Sequence, residues 1–407
     1  MRVYLGIDWS QLKHDYCLLD EQGRAIQQGT IPHRPAGLES LDQARGRVVG
    51  SAAECWVGLE TAHTLVIDWL WARGYSQVFV IPPGAVNRAR GRYRQTNAHN
   101  DQSDAYVIAD MVRTDQARLA PWHPDSALTR QLRAKVGLLG YLTREIVRTG
   151  SRLEAVLARY YPAALHVFKN PRVPLNLQFI QAFPTPVAAE ALNRDEFKAF
   201  LRARQYRQPE PVLLAAYARL REPYPEADPA TILAYRDEAV LLADSLLAQL
   251  EHKQTVLHSL AEPFAQHPDH LIFASLPGTG EYLGPALLAK FGDDRARFPT
   301  AASVQALAGT CPVTEASGKR RQVKFRHACD HEFRQIVVQW AKASLGQSVW
   351  AAAYSEQLWP RCHSTSHVYR CLANRWLAIA WKCWQTRQPY DESYHLRQRA
   401  QRSQPRS

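Results

Sequence analysis

The sequence has no long hydrophobic run and no paired cysteine motif. No stretch approaches the ~18 uninterrupted apolar residues that a membrane-spanning helix needs, although 46% of the 407 residues are hydrophobic. The first apolar run begins at Val3, so we expect no signal peptide. Seven cysteines, an odd number without a CxxC pair, indicate reduced thiols. Together these features predict a cytoplasmic protein without a membrane partner, long enough for two or three domains.

Acidic residues are in deficit relative to basic ones. Lys and Arg total 50 against 38 Asp and Glu, which gives a formal net charge of +12. An excess of cations favours a polyanionic partner, and nucleic acid is the commonest such partner. A basic surface that is merely solvated is the alternative.

Residues 1–120 have the pattern of an α/β domain. A helical pattern over Thr64–Ala72 ends at a glycine cap, Gly74, and Glu21-Gln22-Gly23 predicts a hairpin turn. The strand-like apolar runs are Val3–Asp8, Tyr16–Asp20, Ala25–Ile31, Cys55–Glu60 and Val78–Ile81. Three strands in a meander, followed by alternating helix and strand, is the order of a ribonuclease-H-like sheet.

The rest of the chain has an all-α pattern. Residues 121–265 lack strand signals and carry helical patterns at Leu128–Tyr160, Pro211–Leu220 and Ala230–Leu260. In the last of these, leucines at roughly heptad spacing predict a helical hairpin or coiled coil, either as a core stripe or as a dimer seam. These leucines are Leu241, Leu242, Leu246, Leu247 and Leu250. Residues 266–395 form a second, mostly helical unit, and the basic tail 396–407 is expected to be disordered unless it is bound to phosphate.

Four acidic residues mark the elements of the first domain. Asp8 and Glu60 end two strand-like runs, and Asp101 and Asp104 open the helical pattern NDQSDAYVIADMV. The i, i+3 spacing places the last two carboxylates on one face of a first helical turn, where the helix dipole favours them. Capping alone would explain that pair, but not its combination with acids at two strand ends. Because Mg²⁺ prefers oxygen ligands, the set predicts a divalent-metal site for phosphoryl transfer.

Two segments are candidates for contact with phosphate. Just before the acidic helix, four arginines alternate with small residues and one tyrosine, which suits a nucleic-acid backbone. They are Arg88, Arg90, Arg92 and Arg94. The sequence LPGTG resembles a helix-hairpin-helix turn, in which Gly278 and Gly280 permit a tight turn before a helix N-terminus. A solvated loop and a plain inter-helix turn are the respective alternatives.

A serine in a basic segment is a second chemical candidate. Ser317 precedes Gly318 in the sequence EASGKRRQVKFRH, and a hydroxyl among cations could attack a phosphorus atom held by the same side chains. The cations that follow it include Lys319, Arg320, Arg321, Lys324 and Arg326. A Ser-Gly pair in a loop is more often only a turn, so the residues alone leave both interpretations open.

Cysteines and histidines cluster near a later predicted helix. Residues 363, 367 and 371 are spaced to share one helical face, which is compatible with a zinc site. The cluster comprises Cys362, His363, His367 and Cys371. Histidines near a helix start are mostly structural, so this pattern alone does not establish a site.

Taken in order, these motifs resemble a known family. GIDWS, GLETA and NDQSDA, followed by LPGTGEYLGPALLAKFGD and FPTAASVQALAGTCPVTEASGKRR, have the order and spacing found in DEDD insertion-sequence transposases. Those proteins are bridge-RNA-guided recombinases that join a Holliday-junction-resolvase-like N-terminal domain to a C-terminal serine domain. Trp9 is larger than the family's usual residue after the first acid, and the region around 165–235 is longer than in compact relatives.

The resemblance implies a mechanism and a set of partners. The acids Asp8, Glu60, Asp101 and Asp104 would bind Mg²⁺, and Ser317 would attack the scissile phosphate to form a covalent phosphoserine link. DNA, as element ends and target, and a structured guide RNA are the implied partners. The family also implies a homo-oligomer, with dimers assembling into an active tetramer.

Three other functions fit parts of the pattern. A metal-dependent junction-resolving nuclease would use the same acids without a serine nucleophile. A sugar-kinase-like enzyme would share the GIDxS start, but the sequence has no second glycine-rich phosphate loop before residue 276. A non-catalytic nucleic-acid-binding scaffold would need only the basic surface.

Overall fold

The computed structural model describes residues 2–61, 65–91, 101–119, 121–317, 320–362 and 364–403. These residues form a mixed α/β structure, as predicted, and none of their helices has both the length and the apolar character to cross a membrane. The chain separates into two compact units, Met1–Pro124 and Asp125–Ser407. The finer division of the helical part at residues 265 and 395 stays a prediction.

One five-stranded sheet forms the centre of the first unit. Its order is β3-β2-β1-β4-β5, with β2 antiparallel to both β1 and β3, and β4 parallel to both β1 and β5. The strands are β1 Val3–Trp9, β2 Lys13–Leu19, β3 Ala25–Pro32, β4 Cys55–Leu59 and β5 Gln77–Val80. All five predicted strands are confirmed, and Gly23, with φ of 81°, lies in the predicted turn.

Helices cover both faces of this sheet. They are α1 Pro35–Gly46, α2 Leu65–Ala72, α3 Pro83–Arg90 and α4 Asp101–Thr114. Alternate residues of β1 enter opposite cores, as the two-residue period of a strand requires: Leu5 and Ile7 pack with α1 and α2, and Tyr4 packs with α3 and α4. The helix predicted at Thr64–Ala72 is confirmed over its described part.

The second unit is almost entirely helical in its described part, and a two-stranded antiparallel hairpin interrupts the helices. The hairpin consists of β6 Val313–Ser317 and β7 Arg320–Lys324. The helices are α5 Ala127–Tyr160, α6 Ala163–His166, α7 Pro174–Ala182, α8 Pro186–Glu190, α9 Arg194–Ala203, α10 Glu210–Leu220, α11 Pro229–His258, α12 Ala261–Ala265, α13 His270–Ala274, α14 Gly280–Phe291, α15 Ala301–Leu307, α16 His331–Ser344, α17 Val349–Leu358, α18 Thr365–Thr386 and α19 Glu392–Ser403.

The two long helices α5 and α11 pack against each other, and α11 carries the leucine stripe. Leu246 is fully buried in the core shared by α5 to α11, and Leu242, Leu247 and Leu250 pack around that core. Leu241 is 68% exposed. The stripe therefore serves mainly the internal packing of a helical hairpin, and its use as a coiled-coil dimer seam stays a prediction.

The C-terminal region differs from the sequence prediction in two places. The segment around Ser317, predicted as a loop, forms the β6–β7 hairpin. The tail was predicted to be disordered. In the structure it is helical up to Ser403, as the C-terminal part of α19. The first residue of that helix, Glu392, accepts hydrogen bonds from Ser348 Oγ at 3.0 Å and from the Tyr390 hydroxyl at 2.7 Å, which anchors the helix to the unit.

A hydrogen-bond network joins the start of α5 to the segment after α14. Asp293 accepts hydrogen bonds from Thr129 Oγ1 at 2.6 Å and from His267 Nε2 at 2.9 Å. His267 Nδ1 accepts a hydrogen bond from the backbone N–H of Asp269. Its Nε2 therefore carries a hydrogen and donates it in the hydrogen bond to Asp293. Burial raises the pKa of Asp293, but hydrogen bonds from His267, Thr129 and Ser126 outweigh burial and hold the pKa well below its usual range.

We expect the stability of the protein to fall in acid as Asp293 is protonated. Its folded-state pKa lies below the unfolded value of ~3.9, so the stabilisation is present above about pH 4 and is lost as pH falls through the folded pKa. Asp293→Asn should lower the free energy of unfolding at neutral pH by about 1–3 kcal/mol and flatten its decline in acid. Urea unfolding at a series of pH values measures both effects, and an unchanged acid dependence in the variant would contradict this assignment.

Candidate active site

Asp8 and Glu60 lie at the same edge of the sheet. Strands β1 and β4 are parallel, with Ile7 opposite Leu59. Asp8 directly follows Ile7, and Glu60 directly follows Leu59. Neighbouring strands are ~4.8 Å apart, so the two acids lie side by side at the carboxyl ends of β1 and β4. Both are half-buried.

Two paired glycines allow helix α4 to lie directly on these strands. Gly6 and Gly58 face each other in the β1–β4 pair, each two residues before an acid. A Cβ on Gly6 would lie 2.0 Å from the carbonyl oxygen of Ala105 and 2.6 Å from the backbone nitrogen of Ala109. The lack of a side chain therefore brings the backbone of α4 against β1, and Asp104 precedes the residue that makes this contact. The matching spacing Gly-Ile-Asp and Gly-Leu-Glu was a signal that the sequence reasoning missed.

Arg90, the last residue of α3, binds Asp104. Its Nε donates to Oδ1 at 2.9 Å and its Nη2 donates to Oδ2 at 2.6 Å. The two residues therefore form a bidentate ion pair, a fork of two hydrogen bonds. Asp104 is only 6% exposed, so the paired hydrogen bonds from Arg90 compensate for its burial. The sequence predicted Arg90 as a phosphate contact, whereas in the structure its guanidinium is bound to an acid of the proposed metal set.

Glu60 belongs to the same electrostatic environment. Burial raises its pKa, the charge of Arg90 lowers it, and the charge of Asp104 raises it, so the pKa stays above its ordinary value. Glu60, Arg90 and Asp104 therefore interact although they come from three different elements. Asp101 begins α4 one turn before Asp104, and its side chain lies outside the described part of the structure.

The donor set fits hard divalent cations. Asp8, Glu60 and Asp104 offer only carboxylate oxygens, the ligand type that Mg²⁺ prefers. Asp104 already attracts one cation, Arg90, and its negative charge contributes to the raised pKa of Glu60. Among the described side chains, the oxygens of these three acids are not all within 4.8 Å of one another.

The other residues predicted to contact phosphate, in the first unit and in the LPGTG segment, differ in their exposure and in their hydrogen bonds. Arg88 is exposed on α3, whereas Arg92 and Arg94 lie outside the described residues. Gly278 and Gly280 have φ of 78° and 50°, as a tight turn before α14 requires. The N–H of Gly278, however, donates to the side chain of Gln347 at 2.7 Å, so this amide is used within the fold.

The basic hairpin uses part of its charge internally. Lys324 forms an ion pair with Glu315 on the opposite strand, and Arg326 Nε donates to the carbonyl of Cys311 at 3.3 Å. Arg321 is exposed, and Ser317 is exposed opposite Arg320 in the strand register. Lys319 and the side chain of Arg320 lie outside the described residues. Contacts from these residues to nucleic acid stay predictions.

Two family profiles match the chain. Residues 5–162 match the IS110-type DEDD profile, described as a transposase, and this range contains all four predicted acids. Residues 270–356 match a profile described as the transposase IS116/IS110/IS902 family. A DEDD domain implies binding of divalent metal, usually Mg²⁺, which agrees with the oxygen-only donor set.

The expected serine-recombinase mechanism is wrong. A DEDD domain points to a metal-dependent, ribonuclease-H-like nuclease, in which acidic residues rather than a serine hydroxyl carry the chemistry. Ser317 received the role of nucleophile from the family resemblance, and the structure shows it as an exposed residue at the end of a hairpin strand. A solvated hydroxyl is a weak nucleophile unless a base activates it. The alternative of a metal-dependent nuclease without a serine nucleophile fits the family match better.

The similarity to individual proteins extends over nearly the whole chain. The mini-circle putative transposase for IS117 from Streptomyces coelicolor is 30% identical over 400 residues, which cover 96% of each chain. The insertion element IS116 44.8 kDa protein of Streptomyces clavuligerus is 28% identical over 323 residues, 78% of each chain. The IS900 42 kDa protein of Mycobacterium paratuberculosis is 25% identical over 323 residues, 78% of this chain and 79% of its own. On this similarity, and with both profiles matched in order, the chain belongs to the IS116/IS110/IS902 family of transposases.

Proposed function

We propose that this transposase cuts DNA strands by metal-dependent phosphoryl transfer at the site formed by Asp8, Glu60 and Asp104. The observation that carries the proposal is the exit of Asp8 and Glu60 from adjacent parallel strands, with α4 packed directly on those strands. Asp101, one turn before Asp104, is the proposed fourth ligand. The strand order, with acids following β1 and β4 and opening a helix on the sheet, supports a ribonuclease-H-like domain.

The side chains of this site would bind metal and orient the phosphate. Bound divalent ions supply Lewis-acid stabilisation of the charge that develops during phosphoryl transfer. The acids would hold those ions, and the acids themselves are positioned by strand ends and by the close contact between Gly6 and Ala105. Arg90 keeps a positive charge beside Asp104, and the exposed Arg88 on the same helix is available to a DNA backbone. We propose element ends and branched DNA intermediates as substrates.

Removal of divalent metal should abolish cleavage. The full chain would be incubated with duplexes carrying the element ends and with a four-way DNA junction, in chelator and then with added Mg²⁺ or Mn²⁺. We expect cleavage to fall to the level of DNA without protein and to return with metal, because the carboxylates alone cannot neutralise the developing charge. Binding of DNA in chelator, measured by fluorescence anisotropy, is the control for a folded protein.

Denaturing gels of the same reactions test the identity of the nucleophile. We expect products without attached protein, since water attacks the phosphate in a metal-dependent nuclease. Cleavage that persists in chelator, or a protein–DNA adduct that survives denaturant, would contradict the proposed function.

We further propose a structured guide RNA as a partner. The net charge of +12 and the exposed Arg88 and Arg321 support contacts with phosphate in more than one nucleic acid. The remaining proposed contacts are Arg90, Arg92, Arg94, Lys319, Arg320, Lys324 and Arg326, with the Gly278–Gly280 turn as a helix-hairpin-helix element for the DNA backbone. Sequencing of RNA that copurifies with the full chain tests this partner, and a random sample of cellular RNA would contradict it.

We also propose that the chain acts as a homo-oligomer, with dimers assembling into a tetramer. The exposed Leu241 on α11, within an otherwise packed leucine stripe, supports α11 as a place for that contact. Light scattering of the full chain with and without element-end DNA measures the stoichiometry.

A further inference from the structure

Three side chains with metal-binding atoms meet at the start of helix α18. Cys362 follows the 3-10 turn Trp359–Arg361, and His367 and Cys371 lie one turn apart on α18. One ligand atom from each residue lies within 4.8 Å of the other two, and all three residues are half-buried. No other group of three His, Cys, Asp or Glu residues in the described chain converges this closely.

The local backbone fixes these residues before any metal binds. Ser364 is the N-cap of α18, and its Oγ accepts the backbone N–H of His367 at 3.2 Å. The backbone N–H of Cys362 donates to the carbonyl of Leu358 at 3.0 Å. Since His367 and Cys371 are spaced i, i+4, their side chains share one face of the helix. The ligand-bearing segments are therefore held by capping and helical hydrogen bonds, which lowers the ordering cost of binding an ion.

The atoms involved select a particular kind of metal. Two thiols and an imidazole are soft or borderline ligands, which favour Zn²⁺ over the hard ions that suit the acidic site. Thiolates bind zinc at ~2.3 Å, so two of them on a tetrahedral ion are roughly 3.8 Å apart. From a separation within 4.8 Å, that geometry requires side-chain movements of about an ångström or less. We propose that Cys362, His367 and Cys371 bind one Zn²⁺, with the fourth tetrahedral position left to water or a further ligand.

The position of this site indicates a structural consequence. The ion would tie the turn before α18 to the first turns of that helix. Arg370, next to Cys371, lies 4.8 Å from the ring centre of Phe325, and Arg334 of α16 lies 4.5 Å from the same ring. Phe325 directly follows β7. Zinc would therefore stabilise the helix segment whose Arg370 packs on the base of the β6–β7 hairpin.

Metal analysis of the full chain tests this site separately from the acidic centre. Protein purified in reductant without chelator, from cells supplied with zinc, should contain one Zn²⁺ per chain by inductively coupled plasma mass spectrometry. Cys362→Ser and Cys371→Ser should each lose most of that zinc, because removing one of three ligands leaves too few for a stable site. The control Cys383→Ser changes another half-buried cysteine of α18 and should keep the wild-type content.

Cobalt provides a second readout that does not depend on a folded variant. Co²⁺ bound by Cys362 and Cys371 in the wild-type chain should show a thiolate-to-cobalt charge-transfer band, which the oxygen-only acidic site cannot produce. Absence of this band together with absence of zinc would overturn the proposal, as would a zinc content unchanged in both cysteine variants. A Cys362–Cys371 disulfide found by peptide mass in protein kept in reductant would also overturn it. None of these outcomes depends on whether the acidic site cleaves DNA.

Discussion

Asp104→Asn is expected to abolish DNA cleavage while the first unit stays folded. Asparagine keeps the shape of the side chain and one oxygen but removes the negative charge that would hold a divalent cation. Loss of about 4 kcal/mol of transition-state stabilisation corresponds to a rate lower by roughly 10³-fold. Single-turnover cleavage of element-end DNA in Mg²⁺ measures the effect. Binding of the same DNA should not weaken, because Arg90 loses its acidic partner and adds to the positive surface.

Helix α4 contains a matched control for this substitution. Asp110 is also buried and also paired with an arginine, since Arg113 Nε donates to its Oδ1 at 2.7 Å. Asp110→Asn therefore removes a buried, paired carboxylate from the same helix without touching the proposed metal ligands. We expect it to cost comparable stability and to retain cleavage within a few-fold. Equal loss of cleavage in both variants would show that Asp104 acts through the stability of α4 and not through metal.

Most of the first unit was predictable because its strands have strong local signals. Runs such as Val3–Asp8 and Cys55–Glu60 are apolar, end at polar residues and are separated by turn residues. Such strands can therefore be recognised from local sequence alone. The β6–β7 hairpin was missed for the opposite reason. Its strands, VTEAS and RRQVK, are largely polar and exposed, and pairing with each other, not burial, defines them. Periodicity does not report such strands.

The candidate site also has features that local sequence predicts and features that depend on tertiary packing. The positions of Asp8 and Glu60 at strand ends follow from local signals, whereas their proximity depends on the long-range parallel pairing of β1 with β4. The fork between Arg90 and Asp104 depends on how α3 packs on α4, and no spacing in the sequence encodes that contact. Ser317 shows a further limit, because the cations beside it left both a nucleophile and a plain turn open, and only the resemblance favoured the nucleophile. Charge near a hydroxyl is too common a pattern to identify a nucleophile.

Gly6→Ala is expected to disrupt the site from beneath without changing any polar group. The added Cβ would meet the backbone of Ala105 and Ala109 at 2.0 and 2.6 Å, and backbone atoms cannot rotate away as a side chain can. Helix α4 must therefore move off β1. We expect a loss of about 3 kcal/mol in the free energy of unfolding, the upper part of the usual range for overpacking. Because α4 carries Asp104, cleavage should fall by roughly 10²-fold even in the folded fraction, since small misplacements of catalytic groups have effects of this size.

The control for this variant is Gly46→Ala. Gly46 ends α1, its added Cβ would meet no atom within 4 Å, and its backbone does not require a glycine. This substitution should be neutral or stabilise the chain by up to about 1 kcal/mol, with cleavage unchanged. Urea unfolding and single-turnover cleavage, measured on both variants, separate the close contact from a general effect of replacing glycine. If Gly6→Ala retained wild-type cleavage and stability, α4 would not need its close seat on β1, and the geometric basis for placing Asp104 beside Asp8 and Glu60 would be lost.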